Sequence, residues 1–437
     1  MPDKTEKIVS LCKRRGFVYP GSEIYGGLAN TYDYGPLGVE LKNNIKRLWW
    51  KYFVHDREDI VGLDGGILSN AKVWEASGHI KNFKDALVEC KKCHKRFRPD
   101  KLANAAACPE CGGKFTKEKQ FSGLFKTVIG PVEKEGETVY LRPETAQNIF
   151  VDYKNILQST NVKLPFGVGQ IGKAFRNEIT TGNFIFRTIE FEQMEIEYFI
   201  SPKADWQKIF NQWVEDIYGF MDLIGLNRKN MFNHEIEESE RAFYSKRTID
   251  MEYEFPFGRD ELWAIAYRTD YDLSCQAKSS KEDLTYFDEQ TKERFLPHVI
   301  EPTFGVDRTV LAVLSEAYAE EQLEKGETRI VLKLNPSVAP YQAAVFPLLS
   351  NKEKLIAKAR EVFGLLKKNY HVFWDDRGNI GKRYRYQDEI GTPFCVTVDF
   401  ETLEKDDSVT IRDRDTMEQK RIKIDELNGF FAKEMGC

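Results

Sequence analysis

The sequence predicts an α+β protein of two or three domains, and three observations carry that expectation. The chain has 437 residues, 41% of them hydrophobic, which at roughly 100–200 residues per domain is material for two or three cores. Strand-like stretches at 139–199 and 248–273 flank an amphipathic helix at Asp205–Leu226 instead of alternating strictly with helices. Finally, the last 109 residues read β-β-α-β-β behind a charged segment, the pattern of a small α/β domain on a mixed sheet.

Taken in order, the chain opens with a short helix and a Gly/Tyr-rich loop, Tyr25–Gly38. Gly35-Pro36 then starts an amphipathic helix, with Leu37, Leu41, Ile45, Leu48 and Tyr52 on one face and Lys42, Asn43, Lys46 and Arg47 on another. Four of the eight cysteines form Cys90-x-x-Cys93 and Cys108-x-x-Cys111, fourteen residues apart. A two-residue gap lets both thiolates of a tight turn reach one tetrahedral ion, so two such turns complete a closed structural zinc site. Two disulfides are the alternative. The N-terminus carries no apolar signal segment, so a reducing cytosol is expected and zinc is preferred. Cys12, Cys275, Cys395 and Cys437 are isolated.

Beyond the helix that begins near Gly305, Ala319–Thr328 reads as a linker. The C-terminal elements are strands Arg329–Leu334 and Ala343–Pro347, a helix Lys352–Lys368, and strands His371–Trp374 and Phe394–Val398. Apolar runs are far shorter than the ~20 residues of a membrane span, so no membrane association is expected.

The net charge of −5 argues at first against a nucleic-acid partner. Its distribution reverses the argument. Residues 329–437 are net +2 and residues 84–120 net +5, which leaves −12 for the remainder. An acidic core accompanies two more basic modules.

Gly167-x-Gly169-x-x-Gly172 fits a dinucleotide fingerprint, but the following Lys173–Glu178 looks extended where the fingerprint needs a helix. A stronger constellation is Phe175-Arg176-Asn177-Glu178, a loop Ile179–Phe186, then Arg187-x-x-x-Phe191-x-x-x-Glu195. Alternation in a strand puts Arg187, Phe191, Gln193 and Glu195 on one face, with Arg176 and Glu178 on the preceding strand. Guanidiniums fork onto phosphate and an aromatic face stacks on a base. An exposed face of cross-strand ion pairs would explain the charges but not the aromatic. A third piece, Glu301-Pro302-Thr303-Phe304-Gly305-Val306-Asp307-Arg308, puts a glycine at a strand-to-helix turn and an arginine where the helix dipole favours phosphate. The alternative is an ordinary buried helix with a capped start.

With the helix at 37–54, these pieces resemble motifs one, two and three of the class II aminoacyl-tRNA synthetases. Ala76-Ser77-Gly78-His79, Leu141-Arg142-Pro143-Glu144-Thr145-Ala146-Gln147, Phe191-Glu192-Gln193-Met194-Glu195, Glu301–Gly305 and Val338-Ala339-Pro340-Tyr341-Gln342 are similar to the dimeric glycyl-tRNA synthetase family. One departure is that Glu58–Ala71 lacks the proline of the motif-one strand.

The resemblance implies a class II antiparallel sheet flanked by helices over 1–83 and 121–326, with a helical insertion at about 202–247. It also implies a zinc-ribbon-like insertion at 84–120 and an α/β anticodon-binding domain at 329–437. The implied reaction joins glycine to ATP as glycyl-adenylate and then passes glycine to the 3′ end of tRNA(Gly). Arg176 and Arg308 are the implied catalytic arginines. Asn177, Glu178, Phe186, Arg187, Phe191, Glu261, Leu262, Gly305 and Asp307 complete the implied ATP site, with Glu261 binding Mg²⁺. The glycine pocket would use Arg98, Glu144, Phe191, Glu192, Gln193, Glu195, Glu301 and Thr303. Zn²⁺ would sit on Cys90, Cys93, Cys108 and Cys111. Arg377, Lys382, Arg383 and Arg385, interleaved with Tyr384 and Tyr386, would meet the tRNA as a single-stranded loop requires. A cytoplasmic homodimer is the implied assembly. Two alternatives remain, a class II synthetase for another small amino acid and a non-catalytic accessory subunit of another nucleic-acid machine.

Overall fold

The computed structural model describes residues 3–99, 102, 106–131, 136–178, 182–323 and 326–435. The cysteine module around 100–105, the loop expected at Ile179–Phe186, the expected linker and Cys437 therefore lie partly outside the described residues.

Helix α1, Lys4–Arg15, starts in a capping box of Asp3 and Glu6 and stops at Gly16 with φ 81°, a left-handed turn that glycine takes without strain. Helix α2, Pro36–Trp50, carries proline in its first turn and runs into one π-helical turn, Lys51–His55. Its buried stripe is Leu37, Leu41, Ile45, Trp49 and Phe53. The stripe leans toward the tryptophan rather than toward Leu48 and Tyr52, which are half-buried.

A seven-stranded sheet organises the larger part of the chain. Its strands are β1 Ile60–Leu63, β2 Phe166–Phe175, β3 Glu190–Ile200, β4 Met231–Glu235, β5 Arg247–Phe255, β6 Gly258–Thr269 and β7 His298–Gly305. The spatial order is β4-β5-β6-β7-β3-β2-β1, antiparallel throughout except for the parallel β2–β1 pair at one edge. The region read as strand-like from 139 to 199 also contains helix α3, Ala146–Ser159, whose Ile149, Phe150, Tyr153 and Ile156 are buried at helical spacing. The segment expected as a helical insertion holds helix α4, Trp206–Leu223, but also the edge strand β4.

The two faces of the sheet differ in chemistry. Met194, Ile196, Trp263 and Phe304 point to one side and pack on α2, α4 and helix α6, Val306–Ala317. There Phe304 meets Trp49, Phe53, Phe220 and Trp263 with ring centroids 5.2–5.9 Å apart. On the other side Phe166, Val168 and Phe199 are covered by α3 and by Leu273 of helix α5, Tyr271–Ser280. The rest of that face is left for polar side chains.

Gly167, Gly169 and Gly172 lie inside β2, which runs on to Phe175 where the fingerprint would need a helix. A Cβ at 172 would stand 2.0 Å from Nη2 of Arg142. That buried arginine donates to the carbonyls of Lys173 and Gly65, both at 2.7 Å, so glycine here makes room for it.

Two small three-stranded sheets stand beside this core. One joins Lys84–Glu89, Arg96–Phe97 and Lys119–Ser122; the other joins Leu68–Asn70, Lys126–Ile129 and Glu137–Leu141.

The C-terminal sheet has five strands, β8 Ala343–Pro347, β9 Val372–Trp374, β10 Phe394–Val398, β11 Ser408–Asp413 and β12 Gln419–Lys423, in the order β9-β8-β10-β11-β12. Its helices are α7 Glu353–Leu366, α8 Ile380–Ile390 and α9 Leu427–Met435. The strand expected at Arg329–Leu334 is Thr328–Leu332. It pairs with Tyr318–Gln322 in a hairpin outside that sheet, so both ends of the segment read as a linker are strands. Within it, Glu320 meets Lys7 at 2.9 Å and Glu321 meets Arg329 at 2.7 Å. Among the described residues no helix is long and apolar enough to cross a membrane.

Candidate active site

Strand register builds the site. Glu195 pairs with Thr303 and Gln193 with Gly305 across β3–β7, and Thr303 pairs with Ala264 across β7–β6. Alternation sends Gln193, Glu195, Glu197, Thr303 and Glu301 to the polar face. Ala264 and Ala266 on β6 leave space above the sheet, and a cavity of about 550 Å³ results. Every residue expected in the ATP and glycine sites lines it, except Asn177 and Arg98.

The open end of the cavity is cationic and aromatic. Arg176 donates Nε to the Pro143 carbonyl at 2.9 Å, and its guanidinium stands 5.3 Å from the Phe191 ring and 5.4 Å from Phe83. Arg308, in the first turn of α6, donates to the carbonyls of Glu261 (2.7 Å) and Phe186 (3.3 Å) and lies 4.4 Å from the Phe186 ring. It also pairs with the Glu261 carboxylate at 3.2 Å. Arg176 is held by neutral partners and Arg308 by two carbonyls and the Glu261 carboxylate, and both guanidiniums line the cavity where a phosphate can be met. Asp250, which also lines the cavity, is pushed up to about 7 by burial and by the neighbouring Glu261.

The closed end is acidic and buried. Glu144 receives His79 Nε2 at 3.2 Å and Gln147 Nε2 at 3.2 Å. His79 Nδ1 in turn lies 2.7 Å from the Ser77 hydroxyl. Against the effect of burial, His79 and Arg268 hold the Glu144 carboxyl well below the usual range. Glu195 accepts hydrogen bonds from Thr303 at 3.0 Å and from Thr145, and burial and Glu144 push it up. Arg268 is fully buried; it reaches Glu301 at 2.6 Å and clamps Asp272 through Nε at 2.7 Å and Nη2 at 2.9 Å. Burial opposes its charge, but Asp272, Glu301, Tyr244 and Glu144 hold it well above its ordinary value. Carboxyls outnumber cations here, so the empty space beside them suits a small ammonium group.

Four expectations change. Glu192 is on the opposite face of β3, where its carboxylate meets Lys42 and Lys46, each at 3.0 Å. Asp307 is also taken, accepting from Tyr34, from Lys42 at 3.0 Å and from the Glu192 backbone N–H at 2.8 Å. Both residues line the cavity, and their carboxylates tie α2, β3 and α6 together. Asn177 donates to the Ser122 carbonyl at 3.4 Å and its backbone N–H to Gly123 at 2.9 Å, anchoring its loop. Arg98 follows the strand Arg96–Phe97 and does not line the cavity.

Sequence reasoning missed Arg268, Asp272, Glu197, Asp250 and Lys42. The run Ala264-x-Ala266-x-Arg268 was the available signal for the first: two small residues and a cation on one strand face, followed four residues later by Asp272.

The four thiols expected to bind zinc are free of disulfides and lie within 4.8 Å of one another. Cys90 and Cys111 sulfurs are 3.5 Å apart and Cys93 and Cys108 sulfurs 3.7 Å, near the about 3.8 Å edge of a tetrahedral Zn–S₄ site with 2.3 Å bonds. Backbone N–H groups, first that of Cys93, bring Cys90 down to about 6. Cys93, despite a backbone N–H from Lys95, is pushed up to about 12 by desolvation and its neighbouring sulfurs. Four thiolates this close need a cation among them, so the donor set fits zinc.

In the C-terminal domain Lys382, Arg383 and Arg385 of the basic run lie on helix α8, and Arg377 precedes it. Arg377, Lys382 and Arg385 are exposed, the last pairing with Glu327. Arg383 is buried and donates to the carbonyls of Pro347 (2.6 Å), Asp376 (3.0 Å), Arg377 (3.1 Å) and Gly378 (2.9 Å). It supports the fold and cannot face RNA.

Comparison with known proteins agrees with this geometry. Residues 125–317 match the family model described as tRNA synthetase class II core domain (G, H, P, S and T), and 342–434 match the anticodon binding domain. The glycine--tRNA ligase of Thermobifida fusca is 52% identical over 458 aligned residues, covering 99% of this chain and 98% of that protein. Those of Clostridium kluyveri and Geobacillus thermodenitrificans are 50% and 51% identical, each over 98% of this chain and 98% and 97% of their own.

Proposed function

The chain belongs to the glycine--tRNA ligase family, and on that premise we propose that it activates glycine with ATP and transfers it to the 3′ end of tRNA(Gly). The observation that carries the reading is the pairing, in one cavity, of a buried carboxylate end with an open arginine–aromatic end. Glycine has an ammonium for the first and ATP has phosphates and a base for the second.

Activation needs no nucleophile from the protein. The glycine carboxylate oxygen attacks the α-phosphorus in line, the bond to the β-phosphate oxygen breaks, and pyrophosphate leaves. Arg176 bridges the glycine carboxylate and the α-phosphate, Arg308 holds the γ-phosphate, and Phe191 stacks on adenine with Arg187 and Glu178 beside it. In the second step a ribose hydroxyl of the terminal adenosine attacks the acyl carbon, and AMP leaves. Mg²⁺ bound with ATP supplies neutralisation of phosphate charge, and the carboxylates of Glu261 and Asp250 on the cavity wall are suited to hold it.

Glycine has no side chain to grip, so the pocket selects by exclusion. Glu144, Glu195 and Glu301 take the ammonium. With Thr303 they fill the volume that a Cβ substituent would need. Steric rejection of this kind escapes the about 1–3 kcal/mol per methylene that limits hydrophobic discrimination.

Arg377, Lys382 and Arg385 on the C-terminal domain are the proposed contacts to tRNA, and zinc on the four cysteines holds the 84–120 module together. A cytoplasmic homodimer is the proposed working form. Charging of tRNA(Gly) by the purified chain with labelled glycine, ATP and Mg²⁺ tests the reading: glycyl-tRNA is expected. Failure to charge with any tRNA while the chain remains folded would overturn it in favour of a non-catalytic subunit.

A further inference from the structure

Glu197 and Glu301 face each other across neighbouring strands. The β3–β7 register sets Glu195 opposite Thr303 and Tyr198 opposite Ile300, which puts 197 beside 301 on the same face. Like charges in that relation repel. Both residues are buried, and carboxyl oxygens of Glu195, Glu197 and Glu301 lie within 4.8 Å of one another.

The groups facing this cluster are Glu195 on the same strand, Arg268 from β6, Asp272 from α5, Glu144 ahead of α3, and Tyr244, whose ring lies 3.8 Å from the Arg268 guanidinium. Arg268 is the guanidinium among them, and its hydrogen bonds go to Asp272 and to Glu301 at 2.6 Å. Glu195 is served by Thr145 and Thr303, and Glu144 by His79 and Gln147. Glu197 differs from all of them. It has no exposed surface, and neither carboxyl oxygen has a hydrogen-bond partner among the described residues. An ionised carboxylate cannot persist there without a donor, whereas a protonated one brings its own.

We propose that Glu197 carries the proton of a Glu197–Glu301 carboxyl–carboxylate pair and acts as a neutral positioning residue, donating its O–H to a neighbouring carboxylate so that Glu195 and Glu301 stay fixed for the substrate's α-ammonium. The inference rests on the amino-acid pocket of the proposed function. Burial and the charge of Glu301 both push Glu197 well above the ordinary carboxylate range. Burial pushes Glu301 up as well, and the Arg268 contact decides which partner keeps the charge. Fixed, singly charged carboxylates then meet the ammonium in place of a repelling set that would splay and widen the pocket.

Infrared difference spectroscopy of the full chain against Glu197→Gln at about pH 7.5 reads the proton directly. The wild type should show the carbonyl stretch of a protonated acid that the variant lacks; loss of carboxylate bands instead would overturn the proposal. Should the variant not fold, the acid band of the wild type, labelled at glutamate carboxyls, carries the test. Its persistence at about pH 8 supports the proposal and its absence at about pH 7 refutes it. Kinetically, Glu197→Leu should raise the glycine KM in pyrophosphate exchange about tenfold with the ATP KM unmoved, and Glu197→Gln should recover most of that loss. A glutamine variant as impaired as leucine would mean that a negative charge is used. The infrared arm needs no substrate, so it separates failure of this inference from failure of the glycine assignment.

Discussion

At the closed end of the cavity, carboxylates are buried and each is answered by a hydroxyl, an amide, His79 or Arg268, with Glu197 as the exception. At its open end the arginines are partly exposed and held by backbone carbonyls and aromatic rings. The difference is one of preorganisation. The acidic end is a rigid mould whose charges cannot move, suited to a ligand identified by lack of volume. The basic end presents cations held by carbonyls and rings, with the Glu261 carboxylate beside Arg308, suited to a large ligand whose charge changes hands during reaction. Lys42, beneath both, is the tie: its ammonium holds Glu192 at the start of β3 and Asp307 at the start of α6.

Breaking the open end should have the largest effect. Arg308→Ala is expected to lower glycine-dependent pyrophosphate exchange about 10³-fold with little change in the glycine KM. A loss below about tenfold would remove Arg308 from the phosphate role. Breaking the closed end comes next. Glu301→Gln should raise the glycine KM about 100-fold and leave the ATP KM alone, because the charge lost faces the ammonium. If both constants rise together, the two ends are not functionally separate.

Lys42→Met should act on both ends at once. Removing this cation leaves Glu192 with Lys46 and Asp307 with Tyr34 and a backbone N–H, so a loss of about 1–3 kcal/mol in thermal or denaturant unfolding is expected, with kcat falling about tenfold. An unchanged kcat at full folding would confine Lys42 to stability. The smallest effect belongs to Asp250. Its folded pKa is raised to about 7 by burial and Glu261, so the folded state keeps a proton that the unfolded state has released. Stability therefore falls as pH rises from about 4 to about 7. Asp250→Asn should flatten that slope and raise Tm by about 1–2 °C at neutral pH, as calorimetry across the range would register. An unchanged slope would show that Asp250 is already ionised.

Much of the open end was legible in the sequence because period-two alternation is a strong signal. It put Phe191, Gln193 and Glu195 on one face, and Gly305-Val306-Asp307-Arg308 at a helix start. It could not reveal partners arriving from other elements, so Glu192 and Asp307 read as ligand groups although Lys42 and Tyr34 claim them. The closed end was half legible. Glu144, Glu195 and Glu301 stood out as motif residues, whereas Arg268 belongs to no motif and its partners Asp272 and Glu301 come from other elements. Helix α8 was missed for a related reason. Its buried residues are Arg383, Gln387, Asp388 and Ile390, three of them polar, so no hydrophobic period marked it. The buried Asp388 there answers Arg329 and Arg412, each at 2.8 Å, a pairing over long sequence distance that no local pattern announces.

The central claim is that one end of the cavity selects glycine by charge and exclusion while the other handles ATP. Amino-acid-dependent ATP–pyrophosphate exchange on the purified chain, run with single amino acids, tests it most directly. The account predicts exchange with glycine and none above background with alanine or serine. Exchange driven by alanine or serine but not by glycine would contradict it.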